Sequence, residues 1–275
     1  MRNFPFEMRP TLILFVLLNS LSFAQIAPTI GAEANGLGCT SLSSKDVFSV
    51  YNNPGALGQI ENTGVGFTYD NRFLLKELST QSLAAAYKME KNGAIGLHLQ
   101  HYGFGLYREM FTGVSYGISL APNFSLGTSV NFHRIQLGDN YGSTNALSLG
   151  LGMFYSVNEE LSFGMRVANL TRTRLAEFED ERLPTTFGLG LQYIFSEKVF
   201  WNLEAEKNFA HPINIKTGLG FQPHELIALR VGVNSYPFQS TFGLGVTMPK
   251  FRFDISAGWH AQLGISPSVG LVFSF

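Results

Sequence analysis

The sequence predicts an all-β fold, a transmembrane up-and-down antiparallel β-barrel of about fourteen strands with a small N-terminal hatch or plug. Three observations predict it. From Thr63 onward, apolar residues recur at every second position, with Gly, Ser, Thr, Asn or a charged residue between them. The connections between these stretches alternate between short and long. The closing stretch carries one apolar stripe that ends in aromatics, with Phe273 and Phe275 its last members. Composition agrees: 45% of the 275 residues are hydrophobic and only 14% charged, yet the apolar residues are interleaved rather than run together, which opposes helical membrane spans. Nucleic acid is excluded as a partner, because 19 Lys and Arg against 20 Asp and Glu leave no basic excess to neutralise phosphates. The single Cys39 rules out an internal disulfide framework.

Residues 1–24 read as a secretory signal peptide. Arg2 and Arg9 precede the apolar run from Leu12 to Leu18, and Ser22-Phe23-Ala24 offers a small-x-small cleavage site before Gln25. The run is too short to cross hydrocarbon, which needs roughly 18–20 apolar residues. Residues 25–62 form a separate unit, the hatch segment, because alternation is missing there. A short helix is expected to start near Ser44 and to be stopped by Pro54.

Residues 63–275 are the expected barrel. Leu126, Val130 and Phe132 alternate with Ser125, Gly127, Ser129 and Asn131; Phe187, Leu189 and Leu191 alternate with Gly188, Gly190 and Gln192. Period two gives each strand one greasy and one wet face. A soluble sandwich and a membrane barrel both fit that pattern, and the turns decide between them. Tight turns at Glu90 to Gly93, Ala121 to Asn123 and Ser196 to Lys198 alternate with long connections such as Asn71 to Ser79, Gly103 to Glu109, Thr171 to Pro184 and Ser235 to Ser240. An up-and-down barrel produces that alternation, whereas Greek-key crossovers do not.

With polar faces turned inward, the lumen receives His98, Gln100, His133, His260, Arg166, Glu204, Glu206, Lys216, Arg230, Arg252 and Asp254. Of these, Arg166, Glu204, Glu206, Lys216, Arg230, Arg252 and Asp254 are expected to form a charge network that holds the hatch. The sharper alternative is a path for an amphipathic headgroup. Phe73, Leu74, Leu75, Tyr102, Phe104 and Tyr107 are apolar groups expected in external loops, where a capture site for a hydrophobic ligand would explain them. The loop from Thr171 to Pro184, with Glu177, Glu179, Asp180 and Glu181, is the most charged stretch and reads as solvated. Enzyme chemistry is not expected: serines such as Ser129 share the inward face with His98 and His133, but no nucleophile motif surrounds them. No metal site is expected either, since His98 and His101 fall on opposite faces and lack an acidic or Cys companion.

Ser268, Gly270, Phe273 and Phe275 stand at the spacing polar-x-Gly-x-x-aromatic-x-aromatic, which resembles the β-signal read by the outer-membrane barrel assembly machinery. The run from Gly31 to Gly38, Asp46 to Tyr51, and Asn52-Asn53-Pro54-Gly55-Ala56-Leu57 resembles the hatch region of the FadL-like outer-membrane proteins, including the PorV and PorQ branch associated with type IX secretion. That resemblance implies a fourteen-stranded barrel with an Asn-Pro-Ala hatch motif, matched here at Asn53 and Pro54, with Gly55 in place of Ala. It implies one of two activities. FadL-type members admit hydrophobic molecules, and PorV-type members act as partners in protein secretion. The reading drawn from it is a passive conduit for hydrophobic or amphipathic small molecules in the outer membrane of a Gram-negative bacterium, without a cofactor. The alternative is a barrel that does not transport but serves as a subunit or shuttle of a secretion or surface-assembly machine. Expected partners are outer-membrane lipid, the assembly machinery during biogenesis, and either a hydrophobic ligand or a secretion protein.

Overall fold

The computed structural model describes residues 29–138, 142–175 and 182–275. The expected signal peptide and Glu177, Glu179, Asp180 and Glu181 lie outside them. Fourteen strands close into one barrel: β1 (Gly64–Asn71), β2 (Ser79–Met89), β3 (Gly93–Phe104), β4 (Tyr107–Ala121), β5 (Phe124–Leu137), β6 (Ser143–Ser156), β7 (Leu161–Ala168), β8 (Thr186–Ser196), β9 (Val199–Asn208), β10 (Asn214–His224), β11 (Ile227–Ser235), β12 (Phe238–Met248), β13 (Phe251–His260) and β14 (Gly264–Ser274). Every strand pairs antiparallel with its neighbours in sequence. The ring is shut by β1 against β14, from Gly64 opposite Ser274 to Asp70 opposite Ser268. Closure removes the free edge that an open sheet would expose.

The two faces are inverted relative to a soluble protein. In β1, Gly64, Gly66 and Thr68 are buried while Val65, Phe67 and Tyr69 are exposed. The same holds around the ring: Ser115, Asn202, Thr241 and Asp254 are buried, and Leu97, Leu147, Leu189 and Phe242 are exposed. An apolar face turned outward all the way round is a lipid face, and the polar face lines the lumen. In β14, Val269 and Phe273 point outward and Gly270 inward. Phe273 packs on Phe251 with ring centroids 5.1 Å apart, and Phe275 follows the strand fully outside, its N–H donating to Thr63 O at 2.8 Å.

At one end all connections are tight, at 90–92, 122–123, 157–160, 197–198, 225–226 and 249–250. The other end carries longer ones, with two corrections to the sequence reading. Gly103 to Glu109 is no long loop: β3 runs to Phe104, β4 starts at Tyr107, and only 105–106 turn. Tyr102, Phe104 and Tyr107 are therefore strand residues. Ser235 to Ser240 likewise contracts to 236–237. The reason is that the β3–β4 ladder continues, pairing Tyr102 with Glu109 and Phe104 with Tyr107, since backbone groups pair wherever a partner strand still reaches them.

The N-terminal segment runs inside the barrel in three short helices, α1 (Ala32–Gly36), α2 (Ser49–Asn52) and α3 (Pro54–Leu57). The single helix expected from Ser44 to Pro54 is thus corrected. The preceding helix does stop before Pro54, with Asn53 extended, and Pro54 then opens the next one, because its missing N–H is no loss at the first helical position. Asn53 caps that helix, its side-chain oxygen accepting from Gly55 N–H at 2.9 Å. Ile30, Val47, Phe48, Val50, Leu57 and Ile60 from the segment meet Ala84, Ala86, Ala94 and Val272 from the wall. The apolar core of this protein therefore lies in the lumen, between segment and wall. Because the outer face is solvated by lipid, Leu219→Arg in the middle of β10 should cost about 2–4 kcal/mol, measured by denaturant titration of the barrel folded in bilayers.

Candidate functional site

The inner wall is shaped to receive the N-terminal segment. Where α3 touches β5 and β6 the wall residues are Gly127 and Gly152, and a Cβ at either would collide with Pro54 O or with the Asn53 side chain. Asn53 itself is fully buried, its amide donating to Leu42 O at 2.7 Å and Met153 O at 3.0 Å. A Cβ at Gly55 would strike the backbone of Met153, so this position has no room for the Ala of the resembled motif. Hydroxyls on the wall answer the backbone carbonyls of the segment. Ser115 donates to Val50 O and Ser125 to Gly55 O, both at 2.7 Å, and Thr241 donates to Gly36 O at 3.0 Å while accepting from Gly38 N at 2.8 Å.

The seven charged residues expected in one network fall into two groups. In the first, Arg230 pairs with Asp254 at 2.7 Å and with Glu33 at 3.0 Å, while Arg252 pairs with Glu33 at 2.7 Å, Asp46 at 3.0 Å and Asp254 at 2.8 Å. Glu33 and Asp46 come from the N-terminal segment, so these pairs tie it to β11 and β13. In the second, Glu204 accepts from Ser41 N and Leu42 N, both at 2.5 Å, Lys216 pairs with Glu206 at 3.0 Å, and Arg166 donates from Nη1 to Tyr51 O at 3.0 Å and Asn52 O at 3.1 Å. Sequence reasoning missed Glu33 and Asp46. The signal available was that Glu33 and Asp46 are acids within a segment expected inside the barrel, where a buried charge needs a partner.

Their electrostatics differ for a countable reason. Burial pushes the Glu33 carboxyl up, but two guanidinium groups outweigh it and hold the pKa at about 2 against an ordinary 4.5. Asp46 meets only Arg252, and there burial prevails and raises it. Burial likewise raises the Cys39 thiol, which sits on the same segment inside the barrel.

Towards the long-loop end, above the segment, lies a cavity of about 140 Å³. Its floor is Tyr51 and Pro54 of the segment, and its walls include Tyr102, Tyr107, Phe111, His133, Ile135 and Leu183 with the polar Ser129, Asn131, Ser148 and Arg166. A series of rings runs along one side: Tyr51 to His98 at 4.5 Å, His98 to Phe111 at 4.9 Å, and Phe111 to His133 at 4.5 Å between centroids. His98 has neither ring nitrogen hydrogen-bonded, whereas His133 Nε2 lies 2.9 Å from Ser148 Oγ. Gln100 also lines this space. Phe111 was missed by sequence reasoning, although an aromatic on the inward face of β4, between Glu109 and Gly113, interrupts the polar pattern.

Of the six residues proposed for ligand capture, the structure brings Tyr102 and Tyr107 to the cavity, with rings 6.4 Å apart. The Tyr107 hydroxyl donates to the Glu109 carboxylate. Phe73, Leu74, Leu75 and Phe104 do not line it. Phe73 is half-buried at the rim, its N–H on Ser266 Oγ at 3.1 Å and its ring edge-on to His260. Leu74 and Leu75 are exposed, and Gly103, at φ 94°, interrupts the alternation so that Phe104 is left exposed as well. A second, polar chamber of about 460 Å³ lies at the tight-turn end, lined by Glu33, Lys45, Asp46, Glu61, Gln192 and Arg252. The segment therefore separates two spaces. Among the described residues no cluster of His, Cys, Asp and Glu has the arrangement of a metal site.

Because the folded pKa of Glu33 lies below its unfolded value, its contribution is complete above pH 4.5 and fades as the pH falls towards 2. At about 1.4 kcal/mol per pH unit, Glu33→Gln should be less stable than the parent by about 3 kcal/mol at pH 7, and this difference should shrink below pH 4.5. Alkylation of the single Cys39 reads the same event locally: slow in the parent, fast in Glu33→Gln at neutral pH.

No family model matches the chain, and no curated protein matches it. Solved structures do. The chain is similar to the CymD monoaromatic hydrocarbon channel, with 13% identity and a TM-score of 0.69 over 92% of this chain and 99% of that one. The Ralstonia pickettii toluene transporter TbuX aligns with 11% identity and a TM-score of 0.67 over 90% and 98% of the two chains. A Pseudomonas aeruginosa FadL homologue aligns with 14% identity and a TM-score of 0.61 over 90% and 97%. At these identities the likeness establishes the fold: the chain is built as these channel barrels are.

Proposed function

We propose that the protein is an outer-membrane channel for small hydrophobic or amphipathic molecules, with the N-terminal segment as the hatch that must shift to let them through. The observation that carries this reading is the cavity above the segment. Its volume of about 140 Å³ matches that of an engineered apolar cavity of roughly 150 Å³ that stays dry and takes up benzene. Its walls combine aromatic and aliphatic surface with a few convergent polar groups, the general character of a small-molecule site. The fold neighbours support it, since they include a monoaromatic hydrocarbon channel and toluene transporters. On this reading β14, with Phe273 and Phe275 outward and Gly270 facing the lumen, is what the barrel assembly machinery recognises, and the exposed apolar belt meets outer-membrane lipid.

Passage follows from the layout. A molecule entering from the long-loop end first rests between Tyr102, Tyr107 and Phe111, then meets Tyr51 and Pro54, and reaches the polar chamber only when the segment moves. The ion pairs of Glu33 and Asp46 set the resistance to that movement.

Uptake of toluene into vesicles containing the protein should exceed that of protein-free vesicles, and Tyr102→Asp with Phe111→Asp should lower it about tenfold or more, since a charge placed on the cavity wall repels an apolar guest. Uptake unaffected by both changes would sink the conduit reading. A stoichiometric protein companion recovered from outer membranes, with no small molecule, would favour the secretion-machine alternative of the PorV and PorQ type.

A further inference from the structure

We propose that the cavity is a binding site for a single-ring aromatic carboxylate, the ring lying along Phe111 and His133 and the carboxylate meeting Arg166. This rests on the channel reading above and narrows it to a substrate class.

The ring preference comes from the wall. Tyr51, His98, Phe111 and His133 follow one another at centroid spacings of 4.5–4.9 Å with interplanar angles of 34–42°. These are offset, tilted contacts of the kind aromatic rings prefer. Phe111 and His133 line the cavity, so a guest ring adds one member to a series that already exists. The volume of about 140 Å³ admits one ring with a short substituent.

The carboxylate preference comes from Arg166. Its Nη1 is spent on Tyr51 O and Asn52 O, and its remaining N–H groups have no hydrogen-bond partner among the described residues. No carboxylate lies within salt-bridge distance of it there. The two acids that share its field are engaged elsewhere, Glu204 by Ser41 N and Leu42 N and Glu206 by Lys216. Glu109, also on the cavity wall, accepts from Tyr107. Arg166 therefore offers a planar donor set to the cavity, the arrangement that a carboxylate takes up in bidentate form. Gly150, directly between the polar wall of Ser129 and Asn131 and the strand of Arg166, carries no side chain that would close this route. An uncharged hydrocarbon leaves these donors unmatched, and that mismatch is what sets the preference.

Equilibrium dialysis on the full barrel in detergent tests this with benzoate, toluene and octanoate as probes. The expected result is benzoate bound about tenfold or more tightly than either of the others, the scale of one charge-assisted contact. Arg166→Gln should abolish the preference for benzoate over toluene. Because Arg166 also holds two carbonyls of the segment, Phe111→Leu serves as the second variant. It keeps the guanidinium and should weaken benzoate but leave octanoate unchanged, and the Cys39 alkylation rate reports whether the segment is still in place in each variant. Benzoate bound no better than toluene by the parent protein would overturn the carboxylate assignment and leave the channel reading standing. Retention of full benzoate affinity in Arg166→Gln, or in Phe111→Leu, would overturn it as well. If neither benzoate nor toluene binds and toluene does not cross vesicles, both readings fall together.

Discussion

A barrel of fourteen strands is too wide to be filled by its own side chains, and this constraint governs the rest of the molecule. About eight strands enclose an interior that side chains can fill, and wider barrels need another occupant or an aqueous channel. Here the occupant is the N-terminal segment. Its presence explains why the lumen is apolar in one sector, where Ala84, Ala86 and Ala94 face Phe48 and Val50, and why glycines line the wall at α3. Side chains there would claim the same volume as the backbone of Pro54 and the side chain of Asn53. The segment in turn brings backbone N–H and C=O groups into a space without bulk water, and Ser115, Ser125, Thr241 and Glu204 are placed to satisfy them.

Packing alone would let the segment slide. What fixes its position is the meeting of Glu33 and Asp46 with Arg230 and Arg252, contacts made between residues about two hundred positions apart in the chain. Removing two opposite charges from water costs several kcal/mol per ion, so such a cluster adds less to stability than its distances suggest. Its value is directional. Breaking it on one side leaves a buried guanidinium without its partner, so intermediate positions of the segment are penalised more than the seated one. Glu33, held between two arginines, is therefore the more sensitive anchor, and Asp46, held by one, the weaker.

Where alternation is sustained, the face of a strand was legible in the sequence because a period of two carries it, and a shift in the strand ends does not change it. That is why Arg166, Glu204, Lys216, Arg230 and Asp254 were placed inward and are found there. Strand ends were not legible. Gly103 to Glu109 reads as a loop because glycines interrupt it, yet the ladder of β3 and β4 continues through most of it. The helix stop before Pro54 was legible, whereas the second helix that Pro54 opens was not, since only the cap at Asn53 reveals it. Glu33 and Asp46 could not be matched to their arginines because such pairing is tertiary and leaves no local pattern. The rim residues Phe73, Leu74, Leu75 and Phe104 were grouped with Tyr102 and Tyr107 on hydrophobicity alone; the backbone at Gly103 separates Phe104 from them, and Phe73, Leu74 and Leu75 stand in a different connection, between β1 and β2.

The cavity and the seat of the segment are not independent. Tyr51 is both the floor of the cavity and a residue of α2, and Arg166 both lines the cavity and donates from Nη1 to two segment carbonyls. Whatever occupies the cavity therefore acts on the same guanidinium that helps hold the segment. A guest that binds equally well with the segment seated or displaced shifts nothing, however tightly it binds. A guest that draws the guanidinium away from Tyr51 O and Asn52 O binds the displaced state better, and by linkage it lowers the cost of displacement by the same free energy. A polar substituent that reaches Arg166 is thus the chemical feature able to couple occupancy to opening, while a guest that touches only Tyr102, Phe111 and Ile135 fills the cavity without loosening its floor.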